Sequence, residues 1–90
     1  MKEKIKLIED DKGITAYDCD GVFYIELKKG SSVSNHTHKH SEKIFLLKGT
    51  AELILGHKKY KLEAPVKITI PENEYHKFTA LTDCIGIEVI

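Results

Sequence analysis

Apolar residues come along this chain in short runs that alternate with polar positions, and no stretch repeats at the spacing of a helical face. The runs are rich in β-branched and aromatic residues and are punctuated by Gly, Asp, Asn and Pro, as in a sheet sandwich or barrel. The predicted strands are Lys4–Ile8, Ile14–Tyr17, Val22–Leu27, Glu42–Leu47, Thr50–Leu55, Tyr60–Glu63, Val66–Ile70, Tyr75–Ala80 and Cys84–Val89. Asp10–Gly13 reads as a turn, Lys28–Ser32 as a loop and Gly56–Lys59 as a turn, while Asp20-Gly21 and Lys48-Gly49 mark hairpins. About nine or ten strands with essentially no helix imply an all-β, closed or double-sheet fold. We expect a single domain over residues 1–90.

Length sharpens that picture. A chain of 90 residues buries only about 60–70% of the surface its unfolded form exposes, so a metal ion or a second subunit would add useful stability. Charge narrows the partners. The 14 acidic residues balance the 14 basic ones, which argues against nucleic acid or an anionic membrane surface, both of which need clustered positive charge. The opening stretch MKEKIKLIED is charged throughout, so neither a signal peptide nor a membrane span is readable and a cytoplasmic location is expected. Cys19 and Cys84 lie far apart without CxxC spacing and read as small buried residues rather than a redox pair.

All 14 basic residues are lysine, and arginine, glutamine and tryptophan are absent. Lysine and glutamate without glutamine is a bias of heat-adapted proteomes, although an AT-rich genome also favours lysine codons. Without arginine there is no planar guanidinium to grip a carboxylate or phosphate in two-pronged fashion. Substrates that rely on such a clamp are disfavoured.

The candidate chemistry lies in the histidines. Three of the five sit at His36, His38 and His40, and in an extended segment alternation would project all three from one face, with Glu42 continuing the parity. Imidazoles and a carboxylate gathered on one face make a poor apolar core, costing several kcal/mol (order of magnitude) if buried without partners. A metal ion removes that conflict by using the imidazole lone pairs and the carboxylate charge. The bland alternative is that HTHKH is a solvated loop.

Context weighs on the choice. Gly30 is followed after five residues by His36-Thr37-His38, after three more by Glu42 and after six more by Gly49. This spacing resembles the first motif of the cupin superfamily with every anchor present. Fifteen residues separate Gly49 from Pro65, where the second cupin motif would begin, reading Pro65-VKITI-Pro71-Glu72-Asn73-EY-His76-KFT-Ala80. Pro71 and His76 match. Pro65 and Asn73 replace glycines and Ala80 replaces an asparagine; Pro65 still breaks a strand, and Asn tolerates positive φ better than other non-glycine residues.

The resemblance implies a jelly-roll barrel (a double-stranded β-helix) and a metal site of His36, His38, Glu42 and His76. Such a donor set with open positions suits one divalent ion of manganese, iron, nickel, copper or cobalt, and zinc less distinctively. His40 then sits beside the ligands or at the rim, with direct ligation as the alternative, and His57 is expected to be exposed. Because ligating imidazoles must be neutral, metal occupancy should fall as pH drops below about 6.

Around the metal, Ile44 and Leu46 share the parity of Glu42, and Phe78 that of His76, so the pocket should be mostly apolar. Phe78 reads as core packing or as a substrate contact. Tyr24, Tyr60 and Tyr75 are candidate polar handles, with Tyr75 expected to face away. Phe45 and Leu47 form a second apolar face, to be covered by the other sheet or by another subunit, since small cupins are commonly homodimers. The resemblance thus implies a metal-dependent enzyme on a small molecule, dioxygenase-like or isomerase-like, with a non-enzymatic metal- or ligand-binding module as the alternative.

Overall fold

The computed structural model describes residues 5–35 and 41–89. Among them it contains ten strands and no helix: β1 Lys6–Asp11, β2 Ile14–Asp18, β3 Val22–Leu27, β4 Ser32–Asn35, β5 Glu42–Lys48, β6 Thr50–Leu55, β7 Lys58–Glu63, β8 Val66–Ile70, β9 His76–Ala80 and β10 Cys84–Val89. Antiparallel ladders assemble them into a six-stranded sheet, ordered β1-β2-β3-β10-β5-β8, and a four-stranded sheet, ordered β4-β9-β6-β7. The all-β, two-sheet expectation holds. No helix among the described residues is long and apolar enough to cross a membrane.

Alternation along the strands explains how the sheets meet. On β9, His76, Phe78 and Ala80 are buried while Lys77 and Thr79 are less so, and on β5 Glu42 and Leu46 are buried between the exposed Lys43 and Leu47. Inward residues of both sheets merge into one core, with Leu27, Leu46, Ile70 and Cys84 from the larger sheet and Ala51, Leu53, Leu62, Phe78 and Ala80 from the smaller. Burying each large aliphatic side chain is worth about 1.5–3 kcal/mol.

Several boundaries differ from the sequence reading. β1 runs on to Asp11, so the connection to β2 tightens to Lys12 and Gly13, both at positive φ as a two-residue hairpin turn requires. Lys4, the expected first residue of that strand, lies outside the described residues. β4 was not expected, because Ser32-Val-Ser-Asn35 offers one apolar side chain and no alternation to read. It forms by pairing with β9, reinforced by a 3.0 Å hydrogen bond between the Ser32 and Thr79 hydroxyls. β7 begins at Lys58 rather than Tyr60, since its ladder with β6 extends to Leu55 opposite Lys58 and leaves a turn of Gly56 and His57. The exposed Lys58 and Lys59 hide the start of this edge strand from pattern reading while guarding it against edge-to-edge pairing.

The two ends of the barrel are built differently. At one end Gly49 links β5 to β6 with φ +100°, and a Cβ there would collide with the Asp83 carbonyl oxygen and lie 2.8 Å from Cys84 Sγ. Backbone hydrogen bonds close this end: Gly30 N–H to Ala80 O at 2.8 Å, Ala80 N–H to Ser31 O at 2.9 Å and Leu81 N–H to Thr50 O at 2.9 Å. Lys29 N–H donates to Asp83 Oδ1 at 2.8 Å and Thr50 N–H to Thr82 Oγ1 at 2.9 Å. At the other end lie the first residues of β5 and β9 and the last of β4, β8 and β10. Asn73, at the turn before β9, has φ +59°, so it takes the conformation of the glycine it replaces.

Candidate metal centre

Glu42 opens β5 in the larger sheet and His76 opens β9 in the smaller one. Both are withdrawn from solvent, Glu42 at 0% and His76 at 2% exposure, inside an otherwise apolar core. Cross-strand register places Ile70 beside Glu42, and Asn35 and Leu55 beside His76. The His76 Nδ1 lies 3.3 Å from the Glu74 carbonyl oxygen. A carbonyl can only accept, so Nδ1 carries the proton and the ring's lone pair falls on Nε2, the tautomer a metal-ligating imidazole needs.

His36, His38 and His40 lie outside the described residues. The segment over which their parity with Glu42 was expected lies there too; on either side of it, β4 belongs to the smaller sheet and β5 to the larger one. Glu42 points inward because β5's alternation with Ile44 and Leu46 carries it there. Among the described residues, no group of three or more His, Cys, Asp or Glu is close enough together to hold an ion.

A third polar side chain joins these two, and sequence reasoning missed it. Glu88 on β10 lies opposite Ile44 of β5, which puts it on the inward face, diagonal to Glu42. Burial, a hydrogen bond with the Glu42 carboxyl and the charge of that carboxyl push Glu88 up to about 8. Cavity-wall carboxyls that face each other cannot both ionise cheaply. The available signal was Glu88's parity with Cys84 and Gly86 on a strand otherwise made of Cys, Ile, Gly and Val.

Glu88 and His76 line a half-open cavity of about 50 Å³ with Ile25, Val33, Ile44, Leu46 and Phe78. That volume is of the size of an ion with one water molecule, a water taking on the order of 30 Å³. The expected apolar lining by Ile44, Leu46 and Phe78 is present, and Phe78 serves both the core and the cavity wall. No tyrosine is among the described lining residues; Tyr60 and Tyr75 are exposed, and Tyr24 pairs in register with Tyr17, its ring 6.3 Å away. A larger hollow of about 530 Å³ lies at the other end, where Lys12, Lys28, Lys48, Glu26 and Asp83 line it away from Glu42 and His76.

The remaining candidates fall as follows. His57 is exposed in its turn. Cys19 and Cys84 are unbridged; Cys84 is buried and its thiol donates to Thr82 O at 3.2 Å, and burial pushes it above the usual thiol range. Phe45 is half-buried under the Lys67 ammonium, 5.9 Å from its ring centre, while Leu47 is 49% exposed. The second sheet therefore does not cover Leu47; the β5–β10 ladder passes from Lys48 to Leu46 and leaves it outside the pairing.

A buried carboxyl, a buried imidazole with its lone pair on Nε2 and an apolar surround form a donor set that fits a divalent transition metal. With the histidines of the first motif, the described residues would supply Glu42 and His76 as ligands.

Comparison with known proteins adds the relationship. A family model for the cupin domain matches residues 23–89. Comparison with curated protein sequences returns no match. Among solved structures, an RmlC-like cupin from Shewanella frigidimarina superimposes with a TM-score of 0.79 at 18% identity, covering 98% of this chain and 84% of that one. KdgF from Halomonas sp. gives 0.77 at 19% identity, covering 92% and 82%. Salicylate 1,2-dioxygenase from Pseudoaminobacter salicylatoxidans gives 0.70 at 15% identity over 74% of this chain, which spans only 18% of that enzyme. At these identities the structural likenesses establish the jelly-roll fold. Together with the family model and both sequence motifs, they make this chain a member of the cupin family.

Proposed function

We propose that this cupin is a small metal-dependent enzyme that holds one divalent transition-metal ion through His36, His38, Glu42 and His76 and acts on a small molecule in the barrel. The observation that carries this reading is the burial of Glu42 and His76, one from each sheet, in an apolar core. A carboxylate and an imidazole are donor types that a divalent transition metal takes, and the ion's charge offsets the cost of burying the carboxylate. When bound, the ion supplies Lewis-acid or redox chemistry. The chain does the rest: the Glu74 carbonyl fixes the His76 ring, the aliphatic walls exclude water, and Glu88 presents a carboxyl to the cavity.

Oxygen-dependent or isomerase-like chemistry is the preferred reaction class, and a dioxygenase among the structural neighbours supports the former. Partners are a small molecule and a second copy of the chain, with the half-buried Phe45 and exposed Leu47 as a contribution to the homodimer interface. The balanced charge of 14 against 14 supports no nucleic-acid or membrane partner. The small cavity favours a second reading, a non-enzymatic module that senses or stores a metal or a small ligand.

Metal analysis of protein purified without added ions tests the centre, with one ion per chain expected for wild type and none for His76→Ala. Equal metal in both would sink the assignment. O₂ consumption with a panel of phenolic and diketone compounds divides enzyme from binder, because silence across the panel would favour the binder.

A further inference from the structure

We propose that Glu88 is a positioning residue of the metal centre, holding the Glu42 carboxylate in the orientation in which it ligates. This inference rests on the metal-binding reading above. Glu88 stands diagonally across the β5–β10 ladder from Glu42, within side-chain reach, and both carboxyls enter the same interior. A ligating carboxylate commits one oxygen to the ion, and its second oxygen needs a donor to fix the plane of the group.

The surroundings favour this role. β3 and β5 flank β10 and present Phe23, Ile25, Ile44 and Leu46 toward the same interior, so the charged or titratable groups facing Glu88 among the described residues are Glu42 and His76. An acid in such a wall is costly unless it is engaged. Glu88 falls in neither motif that carries the proposed ligands, and its carboxyl stands across the ladder from Glu42. Glu88 therefore acts on the ion through Glu42. A glutamine at this position keeps a donor for Glu42, while a leucine fills the space and offers none.

The test compares wild type with Glu88→Gln, Glu88→Leu and His76→Ala in the full chain. Mn²⁺ affinity is measured by titration calorimetry, the Co²⁺ ligand field by visible absorption, and the metal-free melting temperature by circular dichroism. Glu88→Leu is expected to bind Mn²⁺ about 10–100-fold more weakly, the usual cost of losing an outer hydrogen-bond partner, with a changed Co²⁺ spectrum. Glu88→Gln is expected to restore affinity to within a few-fold. Metal-free Glu88→Leu should melt no lower than wild type, so that lost affinity is not lost folding.

Unchanged affinity and spectrum in Glu88→Leu would overturn the proposal. So would a Glu88→Gln loss as large as that of Glu88→Leu, which would make Glu88 a ligand in its own right. If His76→Ala binds as wild type does, or wild type binds neither ion, the metal reading itself falls and this inference with it.

Discussion

The two ends of this barrel meet opposite demands with the same strands. At the closed end, polar groups are satisfied by the chain itself: Gly49 lets β5 turn against Asp83 and Cys84, and Ala80, Leu81 and Thr50 close a net of backbone hydrogen bonds. At the site end, Glu42, His76 and Glu88 are drawn into the apolar interior, where a carboxyl is pushed up to about 8. One end uses its polar groups for stability, and the other holds the donor atoms of the proposed metal site. The contrast teaches that in so small a fold the site's cost can be carried by tight construction elsewhere.

The largest expected effect breaks the site end alone. His76→Ala should weaken Mn²⁺ binding by on the order of 100-fold or more, beyond the loss of an outer partner, in a calorimetric titration. Thr82→Ala, at the closed end, should leave that affinity within about twofold, since distant sites with no shared partner behave additively. A loss of binding in Thr82→Ala would dissolve the distinction.

Gly49→Ala strikes the closed end. Its φ of +100° and the collision with Asp83 should cost at least about 1–3 kcal/mol, read as a fall in the denaturation midpoint. Protein that remains folded should bind metal as wild type does.

A pH series separates the ends by charge. Glu88 is held at about 8 in the folded chain, far above an ordinary carboxyl, so its contribution to metal-free stability is fully present below about 4.5 and is lost as pH rises through 8. Glu88→Gln should flatten that decline in melting temperature between pH 5 and about 8.5. An unchanged slope would remove Glu88 as its source. The smallest effect is expected for Thr82→Ala itself, which deletes the acceptor of the Thr50 N–H and should cost about 0.5–1 kcal/mol in this exposed setting.

Much of this was legible in the residues. Nine of the strands stand out because each carries enough apolar alternation to bury one face, and Asn73 could be read as a glycine substitute because its side chain tolerates positive φ. β4 could not be read, since Ser32, Ser34 and Asn35 become a strand only when β9 offers a ladder. Glu42 and His76 carried a motif, whereas Glu88 had none: its meaning depends on which residue of β5 it faces.

The sequence by itself determined the all-β class, the strand-breaking turns and the donor types at the candidate site, because alternation, turn chemistry and donor identity are local properties of the chain. Tertiary structure decided that Glu42 enters from a different sheet than β4, that Leu47 stays in solvent and that Glu88 meets Glu42. Those are matters of cross-strand register and sheet membership. Residues 42 and 88 are 46 apart in sequence, and only the β5–β10 ladder makes them neighbours.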